Sequence, residues 1–134
     1  MNSDPTIPSC ESPFPAATAS IAVARHWVRD CVEGFGGPLR RNRMIQTAEL
    51  IVSELITNAI LHGAGPPLIR LTWNGRLLCI AVSDDSDHWP RLHAAKNTEP
   101  GGFGMQLLER LAHRWGVTPR HPGKTVWAEL SPAP

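Results

Sequence analysis

The stretch "ELIVSELITNAILHG", residues 49–63, decides how the rest of the chain must be arranged. Ile51, Val52, Leu55, Ile56, Ala59 and Ile60 recur at helical spacing and leave almost no clean polar face. The stretch therefore reads as a helix made for burial. It belongs to a helix of about twenty residues, with Gly63 as the expected C-terminal cap. Glu54 and Asn58 stand one turn apart, so both project from the same line of that helix. A carboxylate and a carboxamide on a buried helix call for a reason.

A helix of this kind needs a surface to cover, and the chain supplies strands on its C-terminal side. "LIRLTW" and "RLLCIAVSD" flank Asn74-Gly75, the strongest two-residue hairpin signal in a sequence. "GVTPR" and "KTVWAEL" read as a closing hairpin around Pro122-Gly123. Between the hairpins, "DSDHWPRLHAAKNTEPGG" is polar and interrupted by Pro90 and Pro100, which predicts a loop. A third helix, "FGMQLLERLAHRW", would pack through Met105, Leu107, Leu108 and Leu111. On the N-terminal side, Ile21, Ala24, Trp27, Val28 and Cys31 place a first helix over about Ala16–Val32. Residues 1–15, rich in Pro and Ser, read as a flexible leader before a single domain of residues 16–134. The order helix, helix, strand, strand, helix, strand, strand predicts an α+β two-layer sandwich. Helices would cover one face of a mixed, mostly antiparallel sheet.

Three places can carry chemistry. Asp84 is in phase with Leu78, Ile80 and Val82 on the inward face of its strand, where an ionised carboxylate is costly unless something pairs with it. It could accept a hydrogen bond from a ligand's amino group, such as the exocyclic amine of adenine. Gly102 and Gly104 run directly into the third helix, and backbone amides at a helix start, unobstructed by side chains, favour anions. Asn58 offers a neutral oxygen suited to one position on Mg²⁺, which keeps its other sites for water and phosphate oxygens. Glu54, one turn away, could accept a proton from a nucleophile attacking a terminal phosphate.

In this combination the chain resembles the ATP-binding domain shared by gyrases and histidine kinases (the GHKL or Bergerat fold). It is most similar to the short anti-sigma-factor serine kinase branch of that fold. "SELITNAILHG" resembles that branch's asparagine motif, which implies Glu54 as general base and Asn58 on Mg²⁺. "VSDDS" resembles the adenine motif, with Asp84 reading the amine and Ser86 where many relatives have Gly. "GGFGMQLLERLAHRWG" resembles the phosphate-loop motif and implies nucleotide contacts by Gly102, Gly104 and Met105. "GKTVWAEL" resembles the closing strand, where Thr125 would help hold the adenine site. The resemblance spans about residues 16–130. It implies the histidine-kinase-like ATPase fold with ATP and Mg²⁺ as cofactors. It also implies transfer of the γ-phosphoryl group to a Ser or Thr of an anti-sigma-antagonist protein, and leaves open the binding of a sigma factor and a homodimer. Phe103 stands where such relatives often carry a basic residue, and the lid between Ser86 and Gly101 is short. Both features favour an alternative, a nucleotide-gated partner-binding module without significant kinase activity. A detached histidine-kinase catalytic domain is disfavoured, because no phospho-acceptor helix pair precedes the domain.

The totals agree with a nucleotide-binding regulator. A formal net charge of +1 and a pI near 7.8, with Lys and Arg dispersed, give no sign of a direct nucleic-acid partner. Three cysteines in unlike settings suggest neither a disulfide framework nor a cysteine metal site. No segment is expected to be long and apolar enough for a membrane, and no signal peptide is recognisable, so a cytoplasmic location is the expectation. Glu54, Asn58 and His62 at four-residue intervals make a poor metal set. Lys124, just ahead of a strand, is expected to be solvated. Arg25 and Arg29, one turn apart on the first helix, are expected on a solvated face.

Overall fold

The computed structural model describes residues 7–87 and 102–132, with the backbone alone for 102–105. The lid expected between Ser86 and Gly101 lies almost entirely outside the described residues. The elements in chain order are β1 (Ser9–Pro13), α1 (Ala19–Phe35), a 3₁₀ turn (Gly37–Arg40), α2 (Asn42–His62), β2 (Leu68–Trp73) and β3 (Leu78–Asp84). They are followed by α3 (Gly102–Leu111), β4 (Arg114–Pro119) and β5 (Lys124–Leu130). The strands form one sheet in the order β1-β2-β3-β5-β4. Every pairing in it is antiparallel. The architecture is the expected α+β sandwich.

The core lies between α2 and the inward face of the sheet. Along α2, Met44, Ile45, Ala48, Ile51, Val52, Leu55, Ile56 and Ala59 are buried, a stripe too broad for one contact surface. One side of it meets the sheet and the other meets α1, whose Ala24, Val28 and Val32 repeat every fourth residue and are fully buried. Ile69, Leu71, Ile80, Val82, Val126 and Ala128 complete the core from the central strands. This double coverage explains the composition of α2. With 21 residues and a mean hydropathy of 1.3, it has the length and apolarity of a membrane span, contrary to the expectation from sequence. Half of that segment is buried inside this domain.

Three further expectations change. Residues 9–13 of the supposed leader form an edge strand, pairing with β2 from Ser9↔Thr72 to Pro13↔Leu68. Phe14, just after it, is buried edge-on against Trp27 of α1, with ring centroids 5.6 Å apart. A polar, proline-flanked strand suits a sheet edge, where only one side needs ladder hydrogen bonds. The third helix stops at Leu111 rather than continuing to Trp115. His113 N–H donates to the Glu129 carbonyl at 2.7 Å, so the chain turns directly into β4. Arg29 is not merely solvated. Its guanidinium donates to both carboxylate oxygens of the buried Glu49 at 3.0 and 3.1 Å, tying α1 to α2.

On the outward face, Gly116 lies opposite Trp127, and an added Cβ would stand 2.7 Å from the indole. The ring occupies the space of the missing side chain, and its Nε1–H donates to Thr118 Oγ1 at 3.1 Å.

Ile56→Ala should lower unfolding stability by about 2–5 kcal/mol, the cost of a cavity at a fully buried site. Leu61→Ala on the exposed side of the same helix should change it by less than about 0.5 kcal/mol. Urea denaturation of both variants checks which face of α2 carries the fold.

Candidate functional site

The C-terminal half of α2 crosses the ends of β3 and β5, and the polar residues of the core meet there. On β3 the alternation of Leu78, Ile80 and Val82 continues to Asp84, so its carboxylate is aimed beneath α2. On β5 the same alternation runs from Leu130 through Ala128 and Val126 to Lys124. The antiparallel register sets Asp84 directly opposite Lys124. Lys124 Nζ donates to Oδ1 and Oδ2 of Asp84, at 3.0 Å each. The two side chains are only 6% and 3% exposed. Lys124 is thus a buried partner of Asp84, not a solvated residue. The signal that would have found it is the strand periodicity that located Asp84.

The main chain closes around this pair. Ser86 N–H donates to Asp84 Oδ1 at 2.7 Å, and the Asp85 N–H donates to the Ala64 carbonyl at 2.8 Å, fastening the end of β3 to the chain leaving α2. Gly63 is more than a helix cap. A Cβ there would lie 2.7 Å from the Asp84 carboxyl carbon and would collide with the Ala59 carbonyl. Gly123 has φ +98°, and a Cβ there would collide with the Asp84 carbonyl. Two glycines let two main-chain segments close on Asp84, Gly63 against its carboxylate and Gly123 against its main chain.

Asn58 supplies the other distinctive feature. Its carboxamide oxygen and nitrogen are shielded from solvent, and neither has a hydrogen-bond partner among the described residues. An unmade hydrogen bond of this kind costs about 1–3 kcal/mol. Asn58 lines a cavity of about 20 Å³ with Leu55, Val82, Asp84, Lys124 and Val126. A neutral oxygen without a donor among the described residues fits the single coordination position expected of Asn58 toward Mg²⁺. Glu54, one turn earlier, is partly buried, and desolvation pushes its carboxyl above the usual range.

The other expected residues divide. α3 begins at Gly102, so the glycine pair does enter a helix N-terminus, with Gly104 in its first turn. The side chain of Met105 lies outside the described set. Ser86 takes part through its backbone, as above. Thr125 is not brought to the pocket. It falls on the outward face of β5, where its hydroxyl shares a 2.7 Å hydrogen bond with Ser83 across the ladder. Alternation gives the inward position to Lys124 instead. No group of three or more His, Cys, Asp or Glu side chains placed to hold a metal occurs among the described residues.

A sequence model of the histidine kinase-like ATPase domain matches residues 14–130. The chain belongs to that family, and its fold is the GHKL-type ATPase domain. Among solved structures it is similar to the histidine kinase domain from Erythrobacter litoralis EL346 blue-light activated histidine kinase, at 20% identity and a TM-score of 0.49. The similarity covers 87% of this chain and 61% of that one, so the chain spans about three fifths of that structure. No curated protein matches.

Glu54 yields a prediction with a defined sign. Its folded pKa is raised, whereas in the unfolded chain it titrates near the ordinary value of about 4.3. The folded state therefore holds the proton to higher pH, and stability falls as pH rises through that window. Glu54→Gln should raise the melting temperature at pH 7.5, and the gain should vanish below about pH 4. Thermal melts at the two pH values check it. A wild type more stable than the variant at pH 7.5 would show that the carboxylate has an ionic partner.

Proposed function

We propose that the chain binds Mg²⁺-ATP at the end of α2 and acts as a regulatory serine/threonine kinase of the anti-sigma-factor type. The observation that carries the reading is the pairing of an inward, buried Asp84 with the partnerless carboxamide of Asn58 in one small cavity. The first offers an acceptor for the adenine amine, and the second offers a ligand oxygen. Family membership supports a nucleotide over other ligands with the same polar groups. ATP, when bound, supplies the phosphoryl group. Asn58 would hold the metal through its carboxamide oxygen, and the N-terminus of α3 at Gly102 and Gly104 would face the phosphates. Glu54 would take the proton of the attacking hydroxyl. Its raised pKa makes it a stronger base than an exposed glutamate, at the cost of a smaller ionised fraction at neutral pH. The acceptor we infer is a Ser or Thr of an anti-sigma-antagonist protein, with a sigma factor as the regulated partner.

A second reading, a nucleotide-gated partner-binding module, is favoured by two features. Lys124 already satisfies Asp84, and the cavity is far smaller than a nucleotide.

Calorimetric titration of ATP with and without Mg²⁺, followed by a phosphotransfer assay on candidate antagonists, tests the proposal. Asp84→Asn should nearly abolish binding, since it sets an amide donor against the adenine amine and removes a charge-assisted bond of about 1.5–3 kcal/mol. Asn58→Ala should weaken binding chiefly when Mg²⁺ is present. Equal loss in both conditions would instead give Asn58 a structural role. Glu54→Gln should keep ATP affinity while turnover drops about 10²–10⁴-fold. A folded wild type that transfers no phosphate to any candidate, yet changes partner affinity with ATP, would replace the kinase reading with the module.

A further inference from the structure

We propose that Lys124 is the gate of the Asp84 pocket: its ammonium stands where the amino group of a base would, and a nucleotide enters only by displacing it. The inference rests on the reading of Asp84 as a nucleobase acceptor and adds a regulator to that site.

The geometry is that of a plug. Lys124 Nζ bridges both carboxylate oxygens at 3.0 Å and lies 3.4 Å from the Ser86 carbonyl oxygen. The cavity that remains, about 20 Å³, has room for about one water molecule. Pockets that take small ligands measure about 300–1,000 Å³. A purine therefore has no place while the ammonium stays. The walls of the core cannot retreat far, whereas His62, which also lines the cavity, is exposed at the end of α2. Leu55, Val82 and Val126 belong to the packed core, and the main chain at Gly63 and Gly123 already abuts Asp84. Lys124 is different. It is the first residue of β5, separated by the buried Gly123 from the exposed turn residues His121 and Pro122, and its flexible stem can carry the ammonium out to solvent.

The exchange also sets a chemical condition on what enters. Once the ammonium leaves, the buried carboxylate needs another donor in its place. The 6-amino group of adenine donates there, whereas the 6-oxo group of guanine presents an acceptor. Lys124 thus makes entry conditional on a donor strong enough to take over Asp84, and it lowers the affinity of the free protein for every nucleotide.

Titration of ATP into the wild type, Lys124→Ala and Lys124→Arg tests the gate. Lys124→Ala should bind ATP more tightly by a factor on the order of ten or more, because the charge-assisted hydrogen bonds of Lys124 to Asp84 no longer compete. Lys124→Arg, which keeps a cationic plug, should show no such gain. A folded Lys124→Ala with equal or weaker affinity overturns the gate and leaves the nucleotide reading standing. Absence of ATP binding by both the wild type and Lys124→Ala overturns the nucleotide reading, and the gate with it. Should Lys124→Ala fail to fold, the wild type alone decides. The sequence contains two lysines, Lys96 and Lys124, so ¹⁵N-lysine labelling gives a two-signal spectrum that Lys124→Arg assigns. The Lys124 ammonium should be protected from solvent exchange in the free protein and lose that protection in saturating ATP. Its absence in the free protein, or its survival with ATP bound, overturns the gate.

Discussion

Asp84 and Lys124 are locked opposite one another by the register of β3 and β5, and much of the lower half of the domain is arranged around that pair. A carboxylate placed on the inward face of a central strand is tolerable only when matched by a positive charge or several donors. Here the match comes from the neighbouring strand, at the one position where alternation directs a side chain to the same place. A one-residue slip of either strand would break the pair, because it turns every inward residue outward. The pair and the hydrophobic core thus depend on the same register. The glycines follow from it too, since the chain after α2 and the turn before β5 both close on Asp84.

Two polar groups in one small cavity are treated in opposite ways. Asp84 has its charge met, with Nζ of Lys124 on both oxygens and the Ser86 amide on one. The Asn58 carboxamide has no partner among the described residues. Burial with satisfied partners is what a folded core ordinarily requires, and a group left out is a cost retained for some other use. Glu54 adds a milder cost of the same kind, a carboxyl held above its usual pKa by desolvation. Both unfavourable placements lie on one line of α2, while the opposite stripe of that helix supplies much of the core.

How much of this could be read from residues alone followed the range of the forces involved. The hairpin between β2 and β3, the burial of α2 and the inward setting of Asp84 are fixed by local signals and periodicity and were legible, although the loop runs over residues 74–77 rather than the two residues Asn74-Gly75. The strand at Ser9–Pro13 was not, because its own residues are polar and proline-flanked; only the open edge of β2 and the docking of Phe14 on Trp27 make it a strand. α3 was drawn too long because Ala112 to Trp115 keep a helical look, while pairing of β4 with β5 decides where they go. The clamp of Arg29 on Glu49 joins two helices and leaves no mark in either one's spacing. Lys124 was legible in principle. Charge argued for solvent, periodicity argued for the core, and periodicity won because a counter-charge waited there.

Lysine is also the residue best suited to fill that space reversibly. A small domain that left a base-sized hole beneath its central helix would lose the contacts of every side chain lining it, and stability falls with the volume left empty. An apolar plug would fill the hole but leave the Asp84 charge unpaired. An arginine would bind the carboxylate through a rigid planar fork and be harder to withdraw. The buried lysine side chain lines the same cavity as Val126, and its ammonium neutralises Asp84. Both functions end together when the side chain swings out, provided that an incoming group restores the hydrogen bonds and the packing at once. In the gate proposed above, a planar, apolar ring edged by an amino donor would meet both conditions, so the residue that fills the pocket would also define the chemistry of what replaces it.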